Sequence, residues 1–230
     1  MNEIRYKGVI FDLDGTLLDT IDDITDGLNQ AAVSCGIRPY TIEEAKYLVG
    51  SGVDVLINNC LNARNASKDL FDKLKENYMK FYGACKANKT KPYEGIIKVL
   101  DYFKSKKIKI AVFSNKPDCD TQEVIKRYFG EGYFDMVVGK KDGVEIKPSK
   151  EGAIPILNYY NLDLKEILYV GDTKVDMKTA INIGVDSVGV LWGFRKKDEL
   201  VENKAKFIIS NPLDLIKIVE KGELWTEFCS

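Results

Sequence analysis

The chain has 230 residues, 45% hydrophobic and 30% charged, with a formal net charge of −1. That length can bury a real core, as one domain or one plus an insert, and the balanced charge gives no global field favouring nucleic acid or an acidic membrane. There is no histidine, which excludes Ser-His and Cys-His nucleophile systems and histidine-based zinc sites and leaves acid–base chemistry to carboxylate, lysine, tyrosine or water.

From the amino end, Met1 leads into Asn2-Glu3-Ile4-Arg5-Tyr6-Lys7 without the apolar core of a signal peptide. No stretch approaches a membrane span of about 20 apolar residues, so a cytoplasmic location is expected. The first predicted strand is Gly8–Phe11, followed at once by Asp12-Leu13-Asp14-Gly15-Thr16. Two carboxylates two residues apart would be expelled from a strand interior. At a strand's carboxyl end a Gly-assisted turn aims both into one crevice, where they need a cation, a shared proton or both.

From Leu17 to about Ala87 the spacing is helical and no strand is predicted. Ile21, Ile24 and Leu28 form one apolar stripe, Val53, Leu56, Ile57, Cys60 and Leu61 another, and Phe71, Leu74, Tyr78 and Phe81 a third. Thr41-Ile42-Glu43-Glu44 has the form of a capping box. Asp19, Asp22, Asp23 and Asp26 read as the solvated start of a helix, favourable near its positive dipole end. Gly50-Ser51-Gly52 is not a dinucleotide fingerprint, because helical sequence precedes it and the third Gly is absent. It reads equally as a turn between helices or a substrate-facing loop.

Lys91-Pro92-Tyr93-Glu94-Gly95 reads as a re-entry turn, and Ile96, Ile97, Leu100 and Phe103 mark a helix. Further strands are expected at Ile108–Phe113, Phe134–Val138, Ile167–Val170, Ser187–Leu191 and Phe207–Ile209, with Met177–Ile183 helical. This alternation predicts a parallel sheet covered on both faces. A crossover in such a sheet needs only a dozen or so residues, so the long helical stretch after the first strand reads as an inserted subdomain. Trp192-Gly193-Phe194-Arg195 reads as packing plus a surface arginine. The five cysteines (Cys35, Cys60, Cys85, Cys119, Cys229) are scattered and never spaced CxxC, as expected for reduced thiols packed as small hydrophobes.

Four strand ends carry polar residues suited to one site: Asp12 and Asp14, then Ser114-Asn115, then Lys147, then Asp172 and Asp176. In an open parallel sheet, ligands bind outside the carboxyl ends of the strands, at the switch point. Four aspartates in one crevice repel each other unless neutralised, and hard carboxylate oxygens without His or Cys select Mg²⁺. With a lysine and a hydroxyl beside them, this is the equipment of phosphoryl transfer. Taken alone, Asp-x-Asp-Gly-Thr could be a capped turn, Ser114-Asn115 a loop cap and Lys147 a solvated lysine.

Asp12-Leu13-Asp14-Gly15-Thr16, Ser114-Asn115, Lys147-Pro148 and Gly171-Asp172-Thr173-x-x-Asp176 together resemble, in order, the four motifs of the haloacid dehalogenase superfamily. The resemblance implies an α/β fold in which a Rossmann-like parallel sheet core (residues 1–16 and 88–230) is flanked by helices and carries an inserted all-helical cap (17–87). Within the superfamily the chain most resembles the phosphoglycolate phosphatases, through Val49–Leu56, Lys91–Gly95 and Val190–Arg195.

Carried over residue by residue, the resemblance implies a Mg²⁺-dependent phosphomonoesterase working through an aspartyl-phosphate. Asp12 would be the nucleophile and Asp14 the general acid, then base. Mg²⁺ would be held by Asp12, the Asp14 carbonyl and Asp172, with Asp176 acting through water. Ser114, Asn115 and Lys147 would bind the phosphoryl group and Lys147 would steady Asp12; Gly50, Ser51 and Gly52 remain the cap's candidates for substrate specificity, open against a simple turn.

The implied partner is a small phosphorylated metabolite, 2-phosphoglycolate first, with no nucleic acid or membrane. Monomer and homodimer are both open. The alternatives are a phosphatase for pyrophosphate, a nucleoside monophosphate or a sugar phosphate, a phosphomutase, or a non-catalytic phosphate-binding protein. Dehalogenase chemistry needs no acid two residues after the nucleophile, where Asp14 stands. An open–closed cap motion is expected by analogy.

Overall fold

The computed structural model describes residues 4–85 and 87–223. In chain order the elements begin with β1 (Gly8–Phe11), β2 (Leu18–Asp19), α1 (Ile21–Ser34), α2 (Ile42–Leu48), α3 (Val53–Ala63) and α4 (Phe71–Cys85). There follow β3 (Lys91–Pro92), α5 (Ile96–Ser105), β4 (Lys109–Pro117), α6 (Asp118–Phe129), β5 (Met136–Lys140) and α7 (Ile154–Tyr160). The chain closes with β6 (Ile167–Gly171), α8 (Lys174–Ile183), β7 (Asp186–Val190), α9 (Lys197–Glu202), β8 (Phe207–Ile209) and α10 (Asp214–Lys221).

The unbroken apolar run of β1 is buried along its whole length, as a central strand covered on both faces requires. It pairs in parallel with β4 on one side and β6 on the other. The six-stranded sheet has the order β5-β4-β1-β6-β7-β8 and is parallel throughout. Chain progress therefore reverses direction at β1, and the crevice at its carboxyl end is the switch point where ligands of such sheets lie.

Alternate side chains of β1 feed two layers, following the period of two of a strand. Val9 and Phe11 pack with Leu100 and Phe103 of α5 and with Leu215 and Ile218 of α10. Ile10 faces Ile156 and Tyr160 of α7 and Ala180 and Ile183 of α8. The Tyr160 hydroxyl donates to the Val9 carbonyl at 2.7 Å, so the ring packs deeply without an orphaned polar group.

Helices α1–α4 surround an apolar centre of their own, including Leu28, Ile57, Leu61 and Leu74. Each such side chain, fully buried, stabilises by roughly 1.5–3 kcal/mol, which is why this helical cap holds together without a sheet. The Thr41 capping box is present, with the Thr41 hydroxyl accepting from Glu44 N and Glu44 Oε2 accepting from Thr41 N.

Several expectations need correction. The stretch from Leu17 to Ala87 does contain a strand: β2 pairs antiparallel with β3, Leu18 opposite Pro92 and Asp19 opposite Lys91. Two residues are too few to show a period of two, so no pattern could reveal it. The segment read as a re-entry turn thus begins as strand. The strand expected at Ile108–Phe113 runs on to Pro117 with a register shift after Phe113, and the one expected at Phe134–Val138 lies at Met136–Lys140.

Asp23 is not solvated but wholly buried. It accepts from Lys89 N, Thr90 N and the Thr90 hydroxyl, tying α1 to the chain's return from the cap. Cys60 is buried as expected, whereas Cys119 is exposed; the Cys85 side chain and Cys229 lie outside the described residues. Among the described residues no helix is long and apolar enough to cross a membrane.

Candidate active site

The carboxyl end of β1 places Asp12 beside the ends of β4 and β6. Gly15, four residues past the strand, has φ +86°, a left-handed conformation that favours glycine. A Cβ there would also come within 2.5 Å of Asp172 Oδ2, so the turn can approach the end of β6 only without a side chain. Thr16 completes it, its hydroxyl donating to Asp172 Oδ1 at 3.2 Å.

Beyond β6, Thr173 and Asp176 form the capping box of α8. Thr173 N and Oγ1 both donate to Asp176 Oδ2, at 3.1 and 2.7 Å, and the Thr173 hydroxyl accepts from Val175 N. Helix capping thus fixes one oxygen of Asp176 and leaves Oδ1 to face the crevice, where Lys147 Nζ lies 2.8 Å away. Gly171 lets α8 come this close: a Cβ on it would sit 2.2 Å from the Asp176 Cβ.

Lys147 links two of the aspartates, with Nζ 2.7 Å from Asp12 Oδ1 as well as 2.8 Å from Asp176 Oδ1. Its backbone is clamped by Asn115, whose Oδ1 accepts from Lys147 N at 2.7 Å and whose Nδ2 donates to Lys147 O at 3.2 Å. The same amide donates to Gly50 O of the cap at 3.3 Å. Asn115, expected at the phosphoryl group, thus spends these bonds on positioning Lys147 and the cap loop. The Ser114 side chain is buried and lines the cavity.

Asp12, Asp172 and Asp176 each present a carboxylate oxygen within 4.8 Å of the others. Burial first, then the charge of Asp176, pushes Asp12 up to about 7 against the opposing pull of Lys147. Burial followed by Asp176 and Asp12 holds Asp172 well above the usual carboxylate range, although the Phe194 amide donates to it. Burial alone would depress Lys147, but Asp12 and Asp176 outweigh it and hold the ammonium well above its ordinary value.

Three buried carboxylates and one ammonium leave two negative charges uncompensated when all are ionised. A hard divalent cation matches both that deficit and the all-oxygen donor set. The residues present therefore fit Mg²⁺.

A second ion pair lies at the other side of the crevice. Lys116 Nζ sits 3.1 Å from each oxygen of Asp14 and 2.7 Å from the hydroxyl of Tyr82 on α4. Desolvation works against its charge, yet Asp14 and then the two tyrosines hold its pKa well above that of a free lysine. Lys116 directly follows Ser114-Asn115 in the chain, and sequence reading assigned it no role. The available signal was its place two residues beyond Ser114 at a strand end.

The cap closes the crevice. A cavity of about 70 Å³ lies between Asp12, Asp14, Ser114 and Lys116 below and Gly50, Gly52, Leu56, Tyr78 and Tyr82 above. The two glycines of Gly50-Ser51-Gly52 face this cavity, whereas Ser51 lines the neighbouring open cleft beside Lys147. Tyr78, read from its spacing as cap packing, and Tyr82 one turn on are buried and also form the cavity's wall.

Arg195 is buried, not on the surface, because it anchors the cap: its guanidinium donates to the Lys46 carbonyl and, at 2.9 Å, to Val49 O. Its neighbour Phe194 packs into the apolar centre of the cap. Both contacts join residues far apart in the chain, so local pattern carried no trace of them.

The profile of the haloacid dehalogenase-like hydrolases matches residues 9–190. A phosphoglycolate phosphatase of Aquifex aeolicus is 31% identical over 216 residues, 92% of this chain and 96% of its own. One of Vibrio parahaemolyticus is 27% identical, covering 95% of this chain and 98% of that protein. A crystal structure from Lactobacillus delbrueckii subsp. bulgaricus, provisionally assigned as a phosphoglycolate phosphatase, superposes with a TM-score of 0.88 at 29% identity, over 95% of this chain and all of that one.

Proposed function

Because this chain belongs to the haloacid dehalogenase-like hydrolase family, we propose that it is a Mg²⁺-dependent phosphomonoesterase whose first substrate is 2-phosphoglycolate. The observation that carries the reading is the convergence of Asp12, Lys147, Asp172 and Asp176 in one buried crevice, with Asp14 two residues from Asp12 beside the same cavity.

Asp12 is the nucleophile. Its carboxylate attacks phosphorus, an Asp12–O–P bond forms, and the ester P–O bond breaks. Asp14 gives its proton to the departing alkoxide, which leaves as glycolate. Asp14 then takes a proton from water, whose oxygen attacks phosphorus; the bond to Asp12 breaks and inorganic phosphate departs.

Lys147 orients Asp12 and meets the charge of the phosphoryl oxygens, Ser114 offers them a hydroxyl, and Asn115 holds Lys147 in place. Asp12, Asp172, the Asp14 carbonyl and, through water, Asp176 would hold Mg²⁺, which when bound neutralises phosphoryl oxygens.

The small cavity supports a compact ester. With the cap seated as it is, about 70 Å³ suits a two-carbon acid better than a nucleoside or a hexose. The test is phosphate release from 2-phosphoglycolate with and without Mg²⁺, in the wild type and in Asp12→Asn. Release that needs Mg²⁺ and falls by at least about 10⁴-fold in a folded Asp12→Asn is expected; turnover retained in that variant sinks the mechanism.

A further inference from the structure

The mechanism above leaves a buried cation of the cavity wall unused. Lys116 Nζ is nearly inaccessible, with only 5% of its side chain exposed, and burying an ammonium costs several kcal/mol unless partners compensate. Among the described residues its polar side-chain partners are Asp14 and the phenol of Tyr82. The Tyr82 ring adds a cation–π contact at 4.9 Å. The ammonium's three donors meet the two Asp14 oxygens and Tyr82, and it also faces the cavity that holds Asp12 and Ser114.

Its position relative to the reaction follows from Asp14. An acid that protonates a leaving oxygen must lie within about 2.6–3.2 Å of it. Lys116 Nζ is 3.1 Å from both oxygens of that same carboxylate. The ammonium therefore stands beside the leaving group, while Lys147 stands at the phosphoryl end next to Asp12. The wall there is largely Tyr78, Tyr82, Leu56 and Ile24, aromatic and aliphatic, with one carboxylate, Asp120, beside them. A neutral, hydroxyl-rich leaving group would find few partners there, whereas an anion one carbon from the ester oxygen would meet a buried cation and a phenol donor.

Resting on the phosphatase reading, we propose that Lys116, assisted by the Tyr82 hydroxyl, is the specificity residue of this enzyme. It binds the carboxylate of the leaving group and selects phosphate esters of small 2-hydroxy acids.

The test compares 2-phosphoglycolate with 2-hydroxyethyl phosphate, which keeps the carbon count and replaces the carboxylate by an alcohol. Wild-type kcat/KM is expected to favour the acid by about tenfold to a hundredfold, the range of one charge-assisted hydrogen bond. Lys116→Met should abolish most of that preference, whatever it does to the two rates separately. Tyr82→Phe, which keeps the packing, should lower it about threefold to tenfold, and glycolate should inhibit Lys116→Met at least tenfold more weakly than wild type.

A preference unchanged in both variants overturns the proposal and leaves Lys116 as a partner of Asp14 alone. Equal wild-type turnover of the two esters also overturns it, with the phosphatase reading intact. Release of phosphate from neither ester removes the phosphatase reading and this proposal with it.

Discussion

At the sheet edge the charged side chains are buried together, while in the cap, Asp23 excepted, they stand at the rim around an apolar interior. Asp12, Asp172, Asp176, Lys116 and Lys147 are each less than a tenth exposed. Helices α1–α4 instead bury Leu28, Ile57, Leu61 and Leu74 and keep pairs such as Glu44 with Arg64 near water. Taking ions out of water costs several kcal/mol each unless geometry compensates, so the edge is organised for chemistry against its own stability. The cap is organised for stability, and the core reaches up to hold it. Arg195 bonds the carbonyls of Lys46 and Val49, Asn115 that of Gly50, and Lys116 the phenol of Tyr82.

The sharpest way to break this contrast is Asp172→Asn. The change keeps the shape and an oxygen for the Phe194 amide but removes one of three crowded negative charges. Activity with Mg²⁺ should fall by at least about a thousandfold. The unfolding midpoint in EDTA at neutral pH should rise by about 2–4 °C. The sign follows from Asp172 titrating well above its unfolded value of 3.8, chiefly through burial. Its ionisation therefore opposes folding as pH rises above that value, and asparagine has no such penalty. Calorimetry would decide the matter; a lowered midpoint would mean that the metal-free cluster stabilises the fold after all.

The same contrast explains what was legible in the sequence. β1 and the strand end at Asp172 announce themselves because an apolar run must stop where charge begins. Gly15 and the Thr173–Asp176 box mark how the chain turns there. The chemistry-bearing residues lie close to strand ends, and local pattern reports strand ends. The cap's apolar stripes were readable for a similar reason, since each helix shows its own period.

What joins the two regions was not readable. Asp23 meeting Thr90 and Arg195 meeting Val49 are pairings across 67 and 146 positions, and the pairing of Leu18 with Pro92 spans elements of two residues. Asp23 looked solvated because its neighbours Asp19, Asp22 and Asp26 are acidic too. Only the return of the chain beside α1 buries it.

Arg195→Met tests the junction itself. Methionine keeps the stem's packing and removes the donors to Lys46 O and Val49 O that fix the loop leading into Gly50–Gly52. Arg195 makes no hydrogen bond to the reacting atoms or the proposed metal site, and its charge reaches Asp172 only through space, so the expected effect is chiefly one of positioning. KM for 2-phosphoglycolate should rise about tenfold, equivalent to about 1.4 kcal/mol, with kcat changed by less than about threefold. Amide exchange in residues 46–53 should quicken. An equal fall in kcat with KM unmoved would place Arg195 in the chemistry; unchanged KM and exchange would leave the cap seated without it.

The smallest effect should come from Glu44→Gln, and its sign carries the comparison. The Arg64 guanidinium, followed by the Thr41 amide, holds the Glu44 carboxyl down at about 2 from an ordinary 4.5. The folded state therefore keeps this proton off more readily than the unfolded one. The stabilisation is full above about pH 4.5 and is lost as pH falls through about 2. Glutamine can still cap Thr41, so only the charge is removed, and at this partly buried rim pair water still screens much of its effect. At pH 7 the midpoint should drop by no more than about 2 °C, and the difference from wild type should close as pH approaches 2. Asp172→Asn should move the midpoint the other way at pH 7 and also converge on wild type in acid. If thermal melts of the two variants across that range shift in the same direction, buried and rim charges do not act oppositely here, and the division of labour between core and cap has to be sought elsewhere.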